Sequence, residues 1–507
     1  MLKFFDKIFD GFNMYKLLIS YLSVILLAAV VLSFFKVLAY NPLYLILSTG
    51  LFVFFAWLFN YLMSYIFDAP VNPESSIITG LILALIITPT YQSFTSITFI
   101  MAVTGLAMAS KYILAIKERH LFNPAAVAVF LTAIGPRQSA SWWVGSAFLM
   151  PIVLIGGIIL VRKIKREEML IYYVVASLIV TSVYAVIDKT GVVVSVKNAV
   201  LASPLLFLGF VMLTEPLTSP ANRKTQRWYA VIVGALIPPQ VHFFSYYTSP
   251  EIGLIIGNIF GYLFGPKTKL FLYIDKKIKV AKNTFDFIFI PDKSLNYLPG
   301  QYMEWTLPHD RTDFRGSRRY FTLASSPTES NIRLGIKFYN DSSSYKKKLI
   351  DGDQDTLLIA SHVSGDFVMP KNKDEKLVFV AGGIGITPFR SMIKYLIDKN
   401  EKRDVILLYF ASSSDDFAYK EIFEEARKKL NIKVFYFMSL DNAKLFGDYS
   451  FKGIISGDLI KKMAPDYLNR KFYICGPTPM LAATNDILVG LSIPKKKIVK
   501  DYFPGYI

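Results

Sequence analysis

The hydrophobic pattern of the chain changes once, near residue 265. Before that point long apolar runs dominate, and ten of them are long enough to cross a bilayer core of about 30 Å. They lie near residues 15–37, 43–66, 76–90, 93–116, 122–135, 142–161, 169–187, 198–213, 227–239 and 251–265. Residues 1–265 are therefore predicted to form a polytopic α-helical membrane domain.

After residue 265 the apolar runs become short. Strand-like runs separated by turn residues predict a small antiparallel β-barrel over residues 266–371. They lie at 271–281, 285–290, 301–307, 320–325, 332–339 and 356–362. Over residues 372–507, strands at 377–380, 406–410, 433–438 and 471–475 alternate with helices at 391–399 and 419–430, which predicts an α/β domain with a parallel sheet. The fold class is therefore multi-domain.

The charge distribution predicts how the chain is oriented in the membrane. Of its 507 residues 53% are hydrophobic, and the net charge is +18. With ten spans and a cytoplasmic N-terminus, the basic clusters at 117–119, 162–166 and 223–227 lie in inner loops, while outer loops hold scattered cations such as Arg137 and Lys189. We therefore expect a multi-pass protein of the cell inner membrane, with the C-terminal domains in the cytoplasm and no nucleic-acid partner.

The chain is poor in residues that ligate metals. Its one cysteine, Cys475, excludes an intrachain disulfide and an iron–sulfur cluster held by several thiolates of this chain alone. Of four histidines, His120 and His242 are near the membrane domain. Two stacked haems need paired axial histidines on two helices, so we do not expect a two-haem reductase.

Two stretches of the membrane domain are alike in kind. PESSIITGLILALIITP is followed later by FNPAAVAVF, and SPLLFLGFVMLTEPLTSP is followed later by SPEIGLIIGNIFG. Each pairs a short apolar segment ending in proline with a small-residue segment that carries an asparagine. Discontinuous helices in matching positions of two halves can form a site at the membrane midplane. Ordinary helix-packing motifs explain the pattern equally well.

These residues carry a family resemblance. Most of residues 40–265 resembles the D-type membrane component of the Rnf electron-transport complex and its relative, the B-type membrane component of the sodium-pumping NADH:quinone reductase. The resemblance implies ten helices in two inverted five-helix repeats, with flavin held within or beside the membrane. Those families attach FMN to the threonine of a Ser-Gly-Ala-Thr stretch, which is missing here, and Thr132 is the only threonine of the corresponding interval. Covalent FMN is not expected, and non-covalent FMN or riboflavin stays an option.

A glycine-rich turn follows the first strand of the α/β domain. It contains Gly382, Gly383 and Gly385 and continues into Thr387 and Pro388. Glycine has no Cβ, so the backbone can approach a phosphate closely. Thr387 suits a helix N-cap and Pro388 the first helical position, which would direct backbone N–H groups at a pyrophosphate. Tight turns are common, so the turn alone is weak support for a nucleotide site.

Three further motifs accompany this turn. RRYFTLASSP lies upstream, and FYICGPTPML and DYFPGY lie downstream. In this order the motifs resemble the ferredoxin–NADP⁺ reductase family over residues 270–507. The resemblance implies that FAD binds to the barrel, that NADH or NADPH binds to the α/β domain, and that the glycine turn contacts the nucleotide.

The resemblance also implies site residues in the barrel. The family pattern Arg-x-aromatic-Ser/Thr falls on Arg319, Tyr320, Phe321 and Thr322. By this resemblance Arg319 pairs with the FAD pyrophosphate, which suits a fixed bidentate cation. The aromatic ring, here Phe321 instead of the more usual tyrosine, stacks on the isoalloxazine, and the Thr322 hydroxyl hydrogen-bonds near flavin N5. Ser344 and Lys346 match the second FAD-phosphate loop.

The remaining assignments lie in the α/β domain. Cys475, Gly476 and Pro477 resemble the site where the nicotinamide approaches the flavin, and Thr322 and Cys475 are the predicted catalytic residues. A small buried hydrophobe is the ordinary role of such a cysteine. Asp501 and Phe503 fall where the family has a C-terminal carboxylate and an aromatic residue.

The choice of coenzyme stays open, with NADH favoured. Ser412 aligns roughly where many relatives have an arginine, and NADPH sites commonly place a cation on the 2′-phosphate. The nearby acids Asp415 and Asp416 would not help to bind a phosphate.

These observations predict a membrane-bound flavin oxidoreductase. NAD(P)H would reduce FAD, and the electrons would pass to a membrane flavin, a quinone, a partner acceptor or an extracytoplasmic acceptor. The expected partners are the lipid bilayer, NAD(P)H and that acceptor. The alternative is a small-molecule transporter or membrane anchor fused to a flavin reductase that acts on a soluble acceptor, because broken helices in an inverted repeat suit transport as well.

Overall fold

The computed structural model describes residues 14–67, 73–90, 94–116, 119–135, 138–164, 166–220, 222–264, 269–309, 313, 317–439, 445 and 447–502. Its contacts divide the chain into two compact units, Met1–Pro266 and Lys267–Ile507. Phe503, Arg137, and the inner-loop residues Lys117 and Lys165 were named from the sequence and lie outside the described residues. The division of the second unit at residues 371 and 372 stays a prediction.

The N-terminal unit is built from helices. They are α1 Met14–Phe34, α2 Pro42–Ile66, α3 Pro73–Ile86, α4 Phe94–Ile113, α5 Pro124–Ile134, α6 Met150–Lys163, α7 Glu167–Ile187, α8 Val192–Leu201, α9 Leu205–Phe207, which continues as a π-helix over Leu208–Leu213, α10 Arg223–Leu236 and α11 Pro250–Phe264. Within the described ranges, α1, α2, α4 and α7 are long and apolar enough to cross a membrane. The number rises to five if α8 and α9, bent by 53° at a break, form one span, so the predicted count of ten is not confirmed.

Local sequence explains how several of these helices begin and pack. Asparagine–proline pairs start α2 and α5, where Asn41 accepts the N–H of Leu43 and Asn123 accepts the N–H of Ala126. Small residues bring backbones close together, since a Cβ on Gly80 of α3 would lie 2.9 Å from the Phe52 carbonyl oxygen of α2.

The first sheet of the C-terminal unit is antiparallel. Its strands are β1 Lys269–Ala281, β2 Thr284–Phe289, β3 Tyr302–Thr306, β4 Arg318–Thr322, β5 Ile332–Lys337 and β6 Leu357–Ser364, in the order β4-β3-β6-β1-β2-β5. The N–H of Ala324 donates to the Arg333 carbonyl at 2.9 Å, so the segment after β4 reaches the opposite edge strand, β5. The short helix α12, Ser344–Ile350, connects β5 to β6.

The second sheet is parallel. Its strands are β7 Leu377–Gly382, β8 Val405–Ala411, β9 Lys433–Met438, β10 Ser450–Lys452, β11 Lys471–Gly476 and β12 Ile498–Tyr502, and its helices are α13 Thr387–Asp398, α14 Lys420–Leu430, α15 Gly457–Met463 and α16 Thr478–Gly490. The strand order is β10-β9-β8-β7-β11-β12. Every residue of β7 is buried, as expected for the central strand of a parallel sheet. The strand order reverses between β7 and β11, and ligands of open parallel sheets bind outside the carboxyl ends at such a point.

Candidate cofactor and nucleotide site

The glycine turn and the Cys-Gly-Pro turn meet at this reversal point. Residues Gly383–Ile386 form a 3-10 turn between β7 and α13. A Cβ on Gly385 would lie 2.5 Å from the Cys475 carbonyl oxygen, so only glycine fits at that position. Gly383 has φ +54°, and a Cβ there would meet nothing within 4 Å. The turn is thus closed towards β11 and open at Gly383, where a phosphate has room to approach.

The predicted N-cap role of Thr387 is wrong. Its φ of −57° and ψ of −45° are already helical, because the 3-10 turn before it leads directly into α13. An N-cap residue has an extended backbone instead. The Thr387 hydroxyl donates to the Ile384 carbonyl at 3.2 Å, and Pro388 is the second residue of α13.

Two predicted FAD segments come together around Tyr345 of α12. The guanidinium carbon of Arg319 lies 5.1 Å from the centre of the Tyr345 ring, and the Phe321 ring centre lies 5.9 Å from it. The Tyr345 hydroxyl is buried without a hydrogen-bond partner among the described residues, and burial raises the pKa of this phenol although Arg319 opposes the shift. Sequence reasoning missed Tyr345, although it stands between the two predicted residues Ser344 and Lys346.

Thr322 ends β4 with its side chain in the interior. It is 3% exposed, and its Oγ1 has no hydrogen-bond partner within the described part of the chain. A buried hydroxyl left without a partner costs free energy, so such an atom is expected to face a ligand. A hydroxyl, a guanidinium and aromatic faces are the groups that a flavin with a pyrophosphate needs, and the residues around β4 therefore fit FAD.

Ser344 contacts a loop of the protein. Its Oγ accepts the N–H of Asp313 at 2.9 Å and lies 3.0 Å from His309 Nε2. Its own N–H donates to Asp313 Oδ2 at 2.9 Å. The second predicted phosphate loop therefore packs on residues 309 and 313, and His309 joins the candidate site as a further polar group that sequence reasoning missed.

Lys346 and Tyr320 make contacts with other parts of the antiparallel sheet and its loops. The Lys346 ammonium donates to the carbonyl of Lys337, the last residue of β5, at 3.0 Å and lies 5.2 Å from the Tyr339 ring centre. Tyr320 is 50% exposed, and its hydroxyl donates to Glu304 Oε2 at 2.6 Å. The phosphate-binding role of Lys346 stays a prediction.

Cys475 is fully buried in β11, in register with Asp501 of β12. Burial raises the pKa of the thiol, and the neighbouring Asp501 carboxylate raises it further. The side chain is therefore a neutral thiol at physiological pH. A neutral thiol is a poor nucleophile, so Cys475 is better suited to packing against a bound ligand. Gly476 packs on the glycine turn, since a Cβ on it would lie 3.1 Å from the Gly382 Cα.

In the N-terminal unit, three of the repeated motifs meet at Glu215. Its carboxylate accepts Asn123 Nδ2 at 2.9 Å and the Thr218 hydroxyl at 3.2 Å, and it lies 3.5 Å from His120 Nε2. Asn258 Oδ1 in turn accepts the N–H of Asn123 at 2.9 Å. FNPAA, MLTEPLTSP and PEIGLIIGN are thus joined by polar contacts inside a helical unit.

A small cavity adjoins this cluster. Its volume is about 50 Å³. The side chains that line it include Ser75, Thr79, Asn123, Thr214 and Glu215. A water needs roughly 10–15 Å³ by this kind of measure, so the cavity holds only a few atoms of that size. Thr132 lies elsewhere in α5, where it is buried and donates to the Val129 carbonyl at 3.0 Å.

Comparison with known proteins bears on the C-terminal unit. Residues 379–486 match the family model of the oxidoreductase NAD-binding domain. Over these residues the C-terminal unit is similar to nucleotide-binding oxidoreductase modules. The expectation of an enzyme is confirmed, because the relatives of this module are NAD(P)H-dependent FAD oxidoreductases. The resemblance of the N-terminal half to the Rnf and sodium-pumping families stays a prediction.

Individual relatives are distant. The flavohemoprotein of Oceanobacillus iheyensis is 26% identical over 238 residues, which are 45% of this chain and 57% of the relative. The flavohemoprotein of Candida albicans is 29% identical over 248 residues, 46% of this chain and 59% of the relative. The FAD/NAD-binding domain of nitric oxide dioxygenase from Vibrio cholerae is similar at a TM-score of 0.41 and 18% identity, covering 46% of this chain and 98% of that one. The chain thus spans less than two thirds of the flavohemoproteins that it matches.

Proposed function

We propose that the chain is a membrane-bound flavin oxidoreductase in which NAD(P)H reduces FAD in the C-terminal unit. The electrons then pass to a membrane flavin, a quinone or an extracytoplasmic acceptor through the N-terminal unit. The observation that carries the proposal is the meeting of the glycine turn and the Cys-Gly-Pro turn at the reversal point of a parallel sheet. The buried, unpartnered hydroxyl of Thr322 supports a flavin beside it.

Different side chains of the C-terminal unit bind different parts of FAD and of the nicotinamide nucleotide. When bound, FAD accepts two electrons as a hydride from the dihydronicotinamide. Arg319 holds the pyrophosphate by charge-assisted hydrogen bonds, and Phe321 offers a flat apolar face to the isoalloxazine. The Thr322 hydroxyl hydrogen-bonds to the flavin edge. The backbone of the glycine turn receives the phosphates of the nicotinamide nucleotide, and the neutral thiol of Cys475 leaves space for the nicotinamide ring.

We propose NADH as the preferred coenzyme. Ser412 is exposed after β8, and Asp415 and Asp416 follow it. Asp416 is neutralised by Lys337 at 3.1 Å. The preference for NADH therefore rests on Asp415, since a carboxylate at the end of this strand suits ribose hydroxyls and repels a 2′-phosphate.

The N-terminal unit is proposed to span the cell inner membrane with ten segments in two inverted repeats. The polar cluster around Glu215 supports a functional role, because ionisable residues inside membrane domains usually mark ligand or ion pathways. Covalent FMN is not part of the proposal, since Thr132 is buried in α5 and bonded to its own helix.

One observation favours the second candidate, a transporter or anchor fused to a soluble-acceptor reductase. The cavity beside Glu215, about 50 Å³, is far smaller than the roughly 300–1,000 Å³ of ordinary small-molecule sites and leaves no room for a flavin ring. A second redox centre in the N-terminal unit would decide against this candidate.

The test of the reductase proposal uses the full-length protein in mild detergent, loaded with FAD under anaerobic conditions. Loss of the visible flavin absorbance is followed in single-turnover mixing with NADH and with NADPH. The proposal predicts complete reduction, faster with NADH. Absence of reduction by either nucleotide would overturn it, and faster reduction by NADPH would overturn the coenzyme preference alone.

A further inference from the structure

Two pairs of residues tie the candidate flavin segment to the candidate nucleotide segment. Arg390 of α13 donates to the Ala324 carbonyl at 2.8 Å, and the Ser391 hydroxyl donates to the Ser325 carbonyl at 2.5 Å. Arg390 is 1% exposed and the other three residues are fully buried. Ala324 and Ser325 come directly after the Thr322 strand, and Arg390 stands one helical turn into the helix that follows the glycine turn.

Glu329 completes this contact, and the five residues together are called the clasp. Arg390 Nη2 donates to Glu329 Oε1 at 2.9 Å, and Nη1 pairs with Oε2. Burial opposes the charge on Arg390, but the hydrogen bonds to Glu329 hold its pKa above its usual range. Well-packed apolar residues often replace a buried ion pair without loss of stability. The Arg390–Glu329 pair therefore points to a role in positioning the two segments that it joins, beyond any contribution to stability.

Further close contacts lie beside the clasp. The Tyr419 hydroxyl donates to Asp286 Oδ1 of β2 at 3.0 Å, and the Arg390 guanidinium carbon lies 5.6 Å from the Tyr419 ring centre. A Cβ on Gly335 of β5 would lie 2.7 Å from Thr387 Cγ2 and 2.5 Å from the Tyr419 hydroxyl. Strand β5 is therefore in contact with the start of α13 and with Tyr419, with no room for one methyl group.

We propose that the clasp is a positioning device that sets the separation between the nicotinamide and the flavin edge at Thr322. This inference rests on the proposed function. In that step the C4–H bond of the dihydronicotinamide breaks, the hydride with its electron pair moves to the flavin, and the nicotinamide is left oxidised. The clasp residues exchange no proton or electron and act through the two segments that they join. A misplacement of about 1 Å can slow such a step about 100-fold.

Arg470 provides a matched control. It is 4% exposed and pairs with Asp404 at 2.8 Å and with Asp466, so both partners belong to the parallel sheet and its connections. Arg390→Met and Arg470→Met each remove a buried guanidinium from a carboxylate. Only Arg390→Met acts between the flavin segment and the nucleotide segment.

The kinetic test compares these variants as FAD-loaded full-length protein. Arg390→Met is expected to slow flavin reduction by NADH about 100-fold, whereas Arg470→Met changes it less than about threefold. Reduction by dithionite, which bypasses the nicotinamide, is expected to be equal in both. Gly335→Ala adds a methyl group between β5 and the start of α13 without removing charge and is expected to slow NADH reduction as well. Ser391→Ala, a milder change, serves if Arg390→Met does not fold.

A second readout needs no nucleotide and no turnover. Backbone hydrogen exchange of the full-length protein is expected to rise in Arg390→Met at residues 324–326 and 383–391 together, and to stay unchanged there in Arg470→Met. The inference is overturned if Arg390→Met and Gly335→Ala are reduced as fast as the unmodified protein, or if Arg470→Met slows reduction equally. If the unmodified protein itself is not reduced by NADH or NADPH, the proposed function fails first.

Discussion

The two units assemble their charged contacts in different ways. In the N-terminal unit, Glu215 takes its partners from segments that are far apart in the sequence, with Asn123 the nearest hydrogen-bonding side chain at 2.9 Å. In the C-terminal unit, Arg390 stands a few residues from the glycine turn and joins it to the segment that follows Thr322. The glycine turn and the Cys-Gly-Pro turn, which lie at strand ends, can be located from local patterns. The polar partners of Glu215 and of Arg390, which are 92 and 61 residues away, need the folded structure.

The largest expected effect falls on the N-terminal cluster. Glu215→Leu removes the acceptor for Asn123 and Thr218 and is expected to lower the free energy of unfolding in detergent by about 3 kcal/mol. Denaturant titration of the full-length protein measures it. Glu168→Leu is the control, because its ion pair with Arg227 is exposed and is expected to contribute less than about 1 kcal/mol. Equal losses in the two variants would contradict the difference between the half-buried Glu215 cluster and an exposed pair.

The next effect tests the flavin segment of the C-terminal unit. Arg319→Leu removes charge-assisted hydrogen bonds of about 1.5–3 kcal/mol and is expected to weaken FAD binding roughly tenfold to 100-fold. Arg318→Leu is matched in sequence position, but Arg318 is 33% exposed and lies 3.6 Å from Glu304. FAD titration followed by flavin fluorescence should therefore leave Arg318→Leu close to the unmodified protein. A similar loss of FAD affinity in both variants would mean that Arg319 does not bind the FAD pyrophosphate specifically.

A smaller effect is expected where the two turns meet. Gly385→Ala would place a methyl carbon 2.5 Å from the Cys475 carbonyl oxygen and 2.7 Å from the Gly476 Cα. Overpacking of this kind costs about 1–3 kcal/mol and should raise the KM for NADH as the turns separate. Gly490→Ala is the control, since a Cβ there meets nothing within 4 Å. An unchanged KM in Gly385→Ala would contradict the assignment of this turn to the nucleotide.

The smallest expected effect is on the pH dependence of the free energy of unfolding. Hydrogen bonds from Arg470 lower the pKa of Asp466 to about 2, below the value of about 3.9 for an unfolded aspartate. A lowered pKa in the folded state contributes stability above about pH 4, and this contribution disappears as the pH falls towards 2. The free energy of unfolding, measured as the pH is lowered from 4 to 2, should therefore fall less steeply in Asp466→Asn than in the unmodified protein. The same slope in both proteins would mean that the Arg470 contact is not maintained in solution.

Local sequence patterns anticipated most of the C-terminal fold, because alternating and apolar runs reflect the faces that strands bury. They missed β10 and β12, Ser450–Lys452 and Ile498–Tyr502, since short strands with lysine and aspartate lack an apolar run. Arg390 escaped notice because a charged residue in a helix ordinarily faces water, yet here it is 1% exposed. Such burial depends on Glu329, which no periodicity connects to it.

The N-terminal unit was less predictable. The single apolar run at 198–213 contains a break, since α8 and α9 are bent by 53° across Ala202–Pro204. Hydropathy averages over such a break and counts one span. The motifs that hold Asn123, Glu215 and Asn258 stand out in the sequence, but helix packing decides which of their side chains meet.

The decisive experiment is an anaerobic titration of the full-length protein with NADH, in which the visible spectrum is compared with total extractable flavin. We expect NADH to reduce the FAD completely and the electrons then to reach an acceptor of the N-terminal unit, seen as a second two-electron centre or as reduction of added quinone. A flavin that neither NADH nor NADPH reduces would mean that the chain is not an NAD(P)H-dependent flavin oxidoreductase.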